Sequence, residues 1–328
     1  MKKWFLVLVL VLLVMVFSSY SILAADSIIL RWGSVLAGTH PIAQMIDRVA
    51  KTVAEKTDGR IEIQNYPAGQ LGSSRDQIES VSNGIQEMVT EGVANFGQFV
   101  PSISILEAPY IWRDLDHMLK VANGPIGQDL NNQLIGKSNM RILATIYYGV
   151  RQLTTTNKEV RTVADMKNFK LRVPETDVFL AMARAWGANP TPMTFTELYL
   201  ALKQNVVDGQ ENPLPTIESG KLYEVQKYLI LTGHIMTPMI VVINEDIWKK
   251  ISPADQKILQ EAVQEGGKWN NEQILEQEKG LISKFKSAGV IVIEPNVEEF
   301  RKAVLDTVPQ QFEEKWGKGV WEKIQNTK

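Results

Sequence analysis

The stretch that decides the fold runs from residue 170 to residue 213 and reads KLRVPETDVFLAMARAWGANPTPMTFTELYLALKQNVVDGQENP. Its opening, 170–174, has the pattern of a short strand in which Arg172 lies between Leu171 and Val173. A charged side chain in an apolar strand is costly to bury unless it is paired. The partner of Arg172 is therefore either an acidic residue of the protein or an acidic molecule that binds to it, and chemistry alone leaves both open.

Outward from this stretch, strand and helix patterns alternate along the chain. The first half predicts strands at 28–33, 61–66, 88–93 and 141–148, and helices at 43–56 and 74–82. Period-two and period-3.6 hydrophobic patterns that alternate in this way are typical of an α/β domain, for which we expect a largely parallel sheet.

A long helix is predicted near the end of the chain. Ser252 and Pro253 supply a helix cap and a proline at the first helical position. No further proline follows before about Phe285. A helix of that length is unusual, and the pair Gly266 and Gly267 predicts a bend in its middle.

The first residues have the layout of a secretory signal peptide. Lys2 and Lys3 precede an uncharged apolar run at 4–17, and Ala24 and Ala25 offer a cleavage site. The apolar run is shorter than the ~20 residues that a membrane-spanning helix needs. We expect cleavage near Ala24 or Ala25 and a periplasmic mature protein; an uncleaved membrane anchor is the alternative.

Composition excludes several classes of protein. The 328 residues contain no cysteine, which removes disulfides, cysteine-based zinc sites and thiol catalysis. Lysine and arginine (35) nearly balance aspartate and glutamate (37), and no run of like charges occurs, so nothing points to a nucleic-acid partner. The length favours two domains over one.

The pattern of 170–213 resembles, without gaps, the solute-binding proteins of TRAP (tripartite ATP-independent periplasmic) transporters, the DctP-like family 7 of extracellular solute-binding proteins. The resemblance implies an α/β, two-lobed architecture like that of periplasmic binding proteins, with a hinge and a long bent helix spanning both lobes. It places lobe I at 26–148 plus 237–276 and lobe II at 149–236 plus 277–328, after a signal peptide at 1–25.

The same resemblance implies a ligand site of five residues. Arg172 would pair with the carboxylate of a small organic acid, and Arg151, which we expect nearer to solvent, would contact the same group. Asn212 would donate to the second carboxylate oxygen, and Phe195 would pack on the apolar face of the ligand. Glu91, on the opposite lobe, would accept hydrogen bonds from ligand hydroxyls. From the residues alone, a hinge charge, a turn asparagine and a core aromatic remain open for Arg151, Asn212 and Phe195.

Two positions depart from the sialic-acid-binding members of this family. Those members carry an acidic residue after the turn at 70–72, where this chain has Ser73, and an asparagine near the first strand, where this chain has Ser34. Both differences argue against sialic acid as the ligand, while Glu91 still favours a hydroxylated acid.

The function implied is that of a monomeric receptor that needs no cofactor and is not an enzyme. It would capture a C4-dicarboxylate or a sugar acid and deliver it to a membrane permease. The alternatives are a ligand-presenting sensor subunit and a secreted hydrolase or lyase acting on a carboxylate substrate. The enzyme would need an acid–base pair, and we expect the separated His40, His117 and His234 to be surface or capping residues.

Overall fold

The computed structural model of the protein describes residues 27–327. The predicted signal peptide and its cleavage site near Ala24 and Ala25 lie outside these residues. In the part that is described, no helix combines the length and the apolar character required to cross a bilayer.

Strands and helices alternate as expected. The strands are β1 Ile28–Gly33, β2 Ile61–Tyr66, β3 Met88–Gly92, β4 Met140–Thr155, β5 Lys170–Val173, β6 Asn189–Pro192, β7 Gly209–Pro213, β8 Tyr228–Ile230, β9 Met236–Asn244 and β10 Ile291–Ile293. The helices are α1 Pro41–Lys56, α2 Ser74–Ser82, α3 Leu115–Asn123, α4 Pro125–Ser138, α5 Asp177–Ala185, α6 Phe195–Lys203, α7 Leu214–Ser219, α8 Glu245–Lys250, α9 Pro253–Ser287, α10 Val297–Leu305, α11 Val308–Trp316 and α12 Val320–Asn326.

The strands form one mixed sheet in the order β2-β1-β3-β9-β4-β7-β5-β6, with β8 and β10 attached beside β4. Pairing is parallel at both ends, where β1 joins β2 and β3 and where β5 joins β6 and β7. It is antiparallel in the centre, where β9 joins β3 and β4 and where β4 joins β7. The expected parallel sheet is thus confined to the outer strands. We keep the name lobe I for the part built on β1–β3 and lobe II for the part built on β5–β7.

Strand β4 connects the two lobes and is longer than the predicted 141–148. Its first part pairs with β9 as far as Val150, and its last part, from Arg151, pairs with β7. The register shifts between Tyr147 and Gly149, where Gly149 has φ 125°. A Cβ on Gly149 would lie 2.7 Å from the Cβ of Pro213, so only glycine fits at this crossing.

Helix α9 is a single helix of 35 residues that begins at the predicted proline. It contacts α1 and β4 at one end and α7 and β10 at the other, so it spans both lobes. The glycine pair permits close packing: a Cβ would lie 2.6 Å from Val49 at Gly266 and 2.8 Å from Ile146 at Gly267. These glycines let the helix approach α1 and β4 closely.

Buried apolar clusters hold the lobes without disulfides, and one of them contains residues of both lobes, among them Val89 of β3 and Leu171 of β5. In lobe I, Trp32, Ile46 and Val263 belong to a buried cluster between the sheet, α1 and α9. In lobe II, Leu198 and Phe285 belong to a cluster under α6, α7 and the end of α9. Burial of this apolar surface is the main source of stability in a chain without cross-links.

Candidate functional site

A cleft of about 560 Å³ lies between the lobes. Lobe I contributes the end of β3, the segment that follows it and the start of α2, while lobe II contributes β5 and the starts of α5 and α6. The cleft brings together all five residues that the sequence singled out: Glu91, Arg151, Arg172, Phe195 and Asn212.

Arg172 enters the cleft without an acidic partner among the described residues. Its neighbours Leu171 and Val173 are fully buried, and Arg172 itself is only 3% exposed. Nε and Nη2 donate to the backbone oxygen of Met193 at 3.1 and 2.8 Å. Within residues 27–327 no carboxylate forms a salt bridge with it. Burial lowers the pKa of the guanidinium to about 10, so it stays charged at neutral pH.

Arg151 is buried rather than near solvent, so that expectation was wrong. It is 4% exposed. The antiparallel pairing of β4 with β7 sets it beside Glu211, whose carboxylate accepts from Nε and, at 2.9 Å, from Nη2. Nη2 also donates to Asn212 Oδ1 at 3.1 Å. Burial lowers the pKa of Arg151, but Glu211 outweighs this effect and raises it.

Glu211 and His234 extend this ion pair away from the cleft. His234 Nε2 lies 3.0 Å from the Glu211 carboxylate, and its Nδ1 lies 2.8 Å from the Thr232 hydroxyl. Burial lowers the pKa of His234, so the neutral ring donates from Nε2. Burial by itself raises the pKa of Glu211, but Arg151 and His234 reverse this and lower it. Sequence reasoning missed both groups, although Glu211 lies within the segment that decided the fold.

Asn212 and Phe195 complete the lobe II wall. The Asn212 amide accepts from Arg151 and donates to Gln210 Oε1 at 2.6 Å, which leaves one N–H for another acceptor. Phe195 is half-buried at the first position of α6, where a capping box formed by Thr194 starts the helix. Phe195 lines the cleft, as does Met193, whose carbonyl binds Arg172.

The lobe I wall carries two buried carboxyls. Glu91 is 2% exposed; its Oε2 accepts from Asn95 Nδ2 at 3.3 Å, and its Oε1 has no hydrogen-bond partner in the described part of the chain. Glu107, which ends the 3₁₀ helix Pro101–Glu107, is 3% exposed and accepts from the Ala94 N–H at 2.5 Å. Burial raises the pKa of Glu91 to about 8 and that of Glu107 to about 7. Sequence reasoning found Glu91 but missed Glu107.

Unpaired buried polar atoms concentrate at this cleft. Among the described residues, five buried side-chain oxygen atoms have no hydrogen-bond partner. Three of them, on Glu91, Thr176 and Thr237, belong to residues that line the cleft, whereas those on Asn65 and Asn270 do not. Buried polar groups are nearly always satisfied in proteins, so this concentration marks a place for a polar ligand.

The histidines are not arranged for metal binding. His40 caps α1 by accepting from the Ile42 N–H at 3.1 Å, which agrees with the predicted capping role. His117 and His234 are buried, so a surface position, one of the two roles that we expected, is wrong for both. His117 Nδ1 accepts from the Arg113 N–H at 3.3 Å, just before α3. No group of three or more histidine, aspartate or glutamate side chains in residues 27–327 is placed to hold a metal ion.

Comparison with known proteins gives consistent matches over nearly the whole chain. The family described as bacterial extracellular solute-binding protein, family 7, matches residues 32–315. The sialic acid-binding periplasmic protein SiaP of Vibrio cholerae is 38% identical over 276 residues, covering 84% of this chain and 85% of that protein. The 2,3-diketo-L-gulonate-binding periplasmic protein YiaO of Escherichia coli is 33% identical over 302 residues, covering 92% and 90%.

A solved structure matches equally well. A TRAP periplasmic solute-binding protein from Polaromonas sp. JS666, bound to D-erythronate, has a TM-score of 0.88 and 34% sequence identity. The match covers 92% of this chain and 99% of that one.

Proposed function

Because the chain belongs to family 7 of the bacterial extracellular solute-binding proteins, the receptors of TRAP transporters, we propose that it captures one small organic acid and delivers it to a membrane permease. Proteins of this family are transport receptors rather than enzymes. The ligands named for the three relatives are sialic acid, 2,3-diketo-L-gulonate and D-erythronate, which are all hydroxylated acids. The ligand class proposed for this chain is a C4-dicarboxylate or a sugar acid.

One observation carries this proposal, namely the unpaired charge of Arg172 in the cleft. A guanidinium has five N–H donors, of which two are used by the Met193 carbonyl. The remaining donors include one hydrogen on Nη2 and both on Nη1, so the two terminal nitrogens can hold a carboxylate with two parallel hydrogen bonds. A ligand carboxylate would supply the counter-charge that residues 27–327 do not.

The other predicted site residues support the same placement of the ligand. The free N–H of Asn212 is available to a carboxylate oxygen, and Phe195 offers an apolar face beside it. Arg151 adds positive charge, but its orientation is set by Glu211. We therefore assign Arg172 the main contact and Arg151 a secondary one. Glu91, across the cleft, reads the distal part of the ligand.

Capture is completed by closure of the two lobes. We propose lobe boundaries of 26–148 plus 237–276 for lobe I and 149–236 plus 277–328 for lobe II, with motion at the crossings near Gly149 and within α9. The ligand favours closure only as far as it binds the closed state better than the open one. The mature protein, a monomer cleaved near Ala24 or Ala25, performs this capture in the periplasm.

Calorimetric titration of the purified mature protein tests the proposal. The panel contains aldonates, uronates and dicarboxylates, with the matching neutral sugars and amines as controls. We expect one acid to bind with a dissociation constant of about a micromolar or lower at one site per chain. Binding of neutral sugars or amines alone would overturn the proposal. N-terminal sequencing of the exported protein checks the cleavage site.

A further inference from the structure

Glu91 and Glu107 form a pair on the lobe I wall that the ligand assignment above does not explain. A Cβ on Gly92 would lie 3.2 Å from Glu107 Oε1, so the Glu107 carboxyl packs on the residue next to Glu91. In residues 27–327 neither carboxyl takes part in a salt bridge. The groups that act on them through hydrogen bonds are all uncharged: Ser74, Asn95 and the Gly92 backbone act on Glu91, and the Ala94 N–H acts on Glu107.

Among the described residues, no positively charged side chain in the inner part of the cleft neutralises only Glu91 and Glu107. From the facing elements, Arg151 and Glu211 act on Glu107, and Tyr148 interacts with Glu91. Arg172 lines the same cleft. Arg151 is hydrogen-bonded to Glu211. Burial raises the pKa of Tyr148 to about 12, so its hydroxyl is neutral. The pKa of His40, which contacts Tyr148, is lowered to about 3 by burial, so His40 is neutral as well.

The cations at the mouth of the cleft are already paired. Arg75 bonds the Glu79 carboxylate at 2.9 Å, and Lys315 bonds the Asp177 carboxylate at 2.7 Å. Glu175, also at the mouth, is exposed to solvent. None of these side chains supplies an unshared positive charge to the buried carboxyls.

The charge of the inner cleft therefore depends on the protonation of this pair. Arg151, Arg172 and Glu211 together contribute +1. If Glu91 and Glu107 were both ionised, the inner cleft would carry −1 and would repel an anionic ligand. An anion that enters the cleft favours the protonated form of a neighbouring buried carboxyl, because like charges in low dielectric disfavour each other.

We propose that Glu91 and Glu107 form a second polar subsite that binds the hydroxylated end of a monocarboxylic acid, with at least one of the two carboxyls protonated in the complex. A protonated carboxyl both donates and accepts, which matches the two roles of a ligand hydroxyl. The subsite excludes a second ligand carboxylate, so sugar acids are preferred to C4-dicarboxylates. Capture of the ligand then takes up a proton. This inference rests on the proposed function, and the raised pKa values of the two carboxyls agree with it.

Titration calorimetry with D-erythronate, D-gluconate, D-galacturonate, succinate and L-malate as probes tests this assignment. We expect a hydroxylated monoacid to bind best. At about pH 8, its binding enthalpy should differ between phosphate and Tris buffers by an amount that corresponds to uptake of about one proton. Its dissociation constant should change little between about pH 5.5 and 6.5 and should increase roughly tenfold per pH unit above about pH 8.

Substitution tests whether the proton taken up on binding resides on Glu91 or Glu107. The double variant Glu91→Gln with Glu107→Gln keeps the shape and the hydrogen-bonding groups, so it should bind the same acid with an affinity that no longer varies with pH. Glu314→Gln, an exposed residue outside the cleft, should keep the wild-type pH dependence. Equal enthalpies in both buffers, or a pH dependence that persists in the double variant, would overturn the inference and leave the proposed function standing. Binding of dicarboxylates alone would also overturn the inference and leave the proposed function standing. A failure of every acid to bind would overturn the inference and the proposed function together.

Discussion

Replacing Arg172 by methionine should leave folding intact, whereas the same replacement of Arg151 should impair it. Arg172 has no acidic partner in the described part of the chain, whereas Arg151 neutralises the buried Glu211. Methionine has a similar length without charge, so each exchange removes the charge while largely keeping the volume. The unliganded Arg172→Met protein should fold normally, and the Arg151→Met protein should be strongly destabilised.

The magnitudes follow from the contacts. The pKa of Arg172 is lowered from its usual value to about 10, mainly by burial. This corresponds to roughly 3 kcal/mol of unfavourable free energy for the charged form. Methionine removes this unfavourable free energy, but it leaves the Met193 carbonyl without its hydrogen-bond donor, which costs about 1–3 kcal/mol. The net change for Arg172→Met is therefore between about zero and a gain of about 2 kcal/mol. Breaking the buried Arg151–Glu211 pair costs about 3–5 kcal/mol.

Urea unfolding of the unliganded proteins, monitored by tryptophan fluorescence, measures their stability. Calorimetric titration with the acid that binds best measures their affinity. Exposed Arg184 on α5 provides a control; Arg184→Met should change stability by no more than about 0.5 kcal/mol. Arg172→Met should also lose roughly 30- to 4000-fold in affinity, because truncation of a buried charged partner costs ~2–5 kcal/mol. If Arg172→Met were destabilised as much as Arg151→Met, the partner of Arg172 would be the protein, and the reasoning would be refuted.

Three further outcomes can be measured. Arg172→Lys should weaken binding by roughly 10- to 150-fold, because lysine keeps the charge but cannot hold a carboxylate with two parallel hydrogen bonds; a titration within twofold of wild type would contradict this. Burial raises the pKa of Glu91 and Glu107 from 4.5 to about 8 and about 7, so the folded state holds protons that the unfolded state releases. The unfolding free energy of the unliganded protein should therefore fall as pH rises from about 4.5 to about 8; a urea midpoint that is unchanged between about pH 5.5 and 8.5 would show that these carboxyls do not titrate as described. Gly149→Ala should destabilise the protein by about 1–3 kcal/mol, because its φ is positive and its Cβ would meet Pro213, whereas Gly136→Ala in α4, with open space around it, should be neutral or stabilising by up to about 1 kcal/mol in thermal unfolding.

Local rules in the sequence predicted the elements well where a signal lies within a few residues. Ser252 followed by Pro253 starts α9, and Thr194 with Glu197 forms the capping box of α6. The long β4 was predicted only in its first part, because a strand that continues past Gly149 into another lobe has no local mark of that continuation.

The candidate site was reached in a different way. An arginine within an apolar strand indicated that Arg172 needs an acidic partner, and the resemblance to a known family supplied the positions of Arg151, Asn212, Phe195 and Glu91. Chemistry alone left an internal salt bridge open for Arg172. The structure places the carboxylate of Glu211 on the other arginine instead.

By itself the sequence determined the α/β class, the helix starts, the lack of cross-links and the buried charge of Arg172, because each depends on residue type and on spacing within one or two turns. Only the tertiary structure decided that Arg151 is neutralised by Glu211, 60 residues away, and that the Glu107 carboxyl packs on Gly92, the residue after Glu91. The pairing of β4 with β7 and the position of Glu107 against the end of β3 bring these groups together. Burial raises the pKa values of Glu91 and Glu107, since desolvation acts only once the surrounding chain has excluded water, whereas the pairing of Arg151 with Glu211 outweighs burial for those two groups.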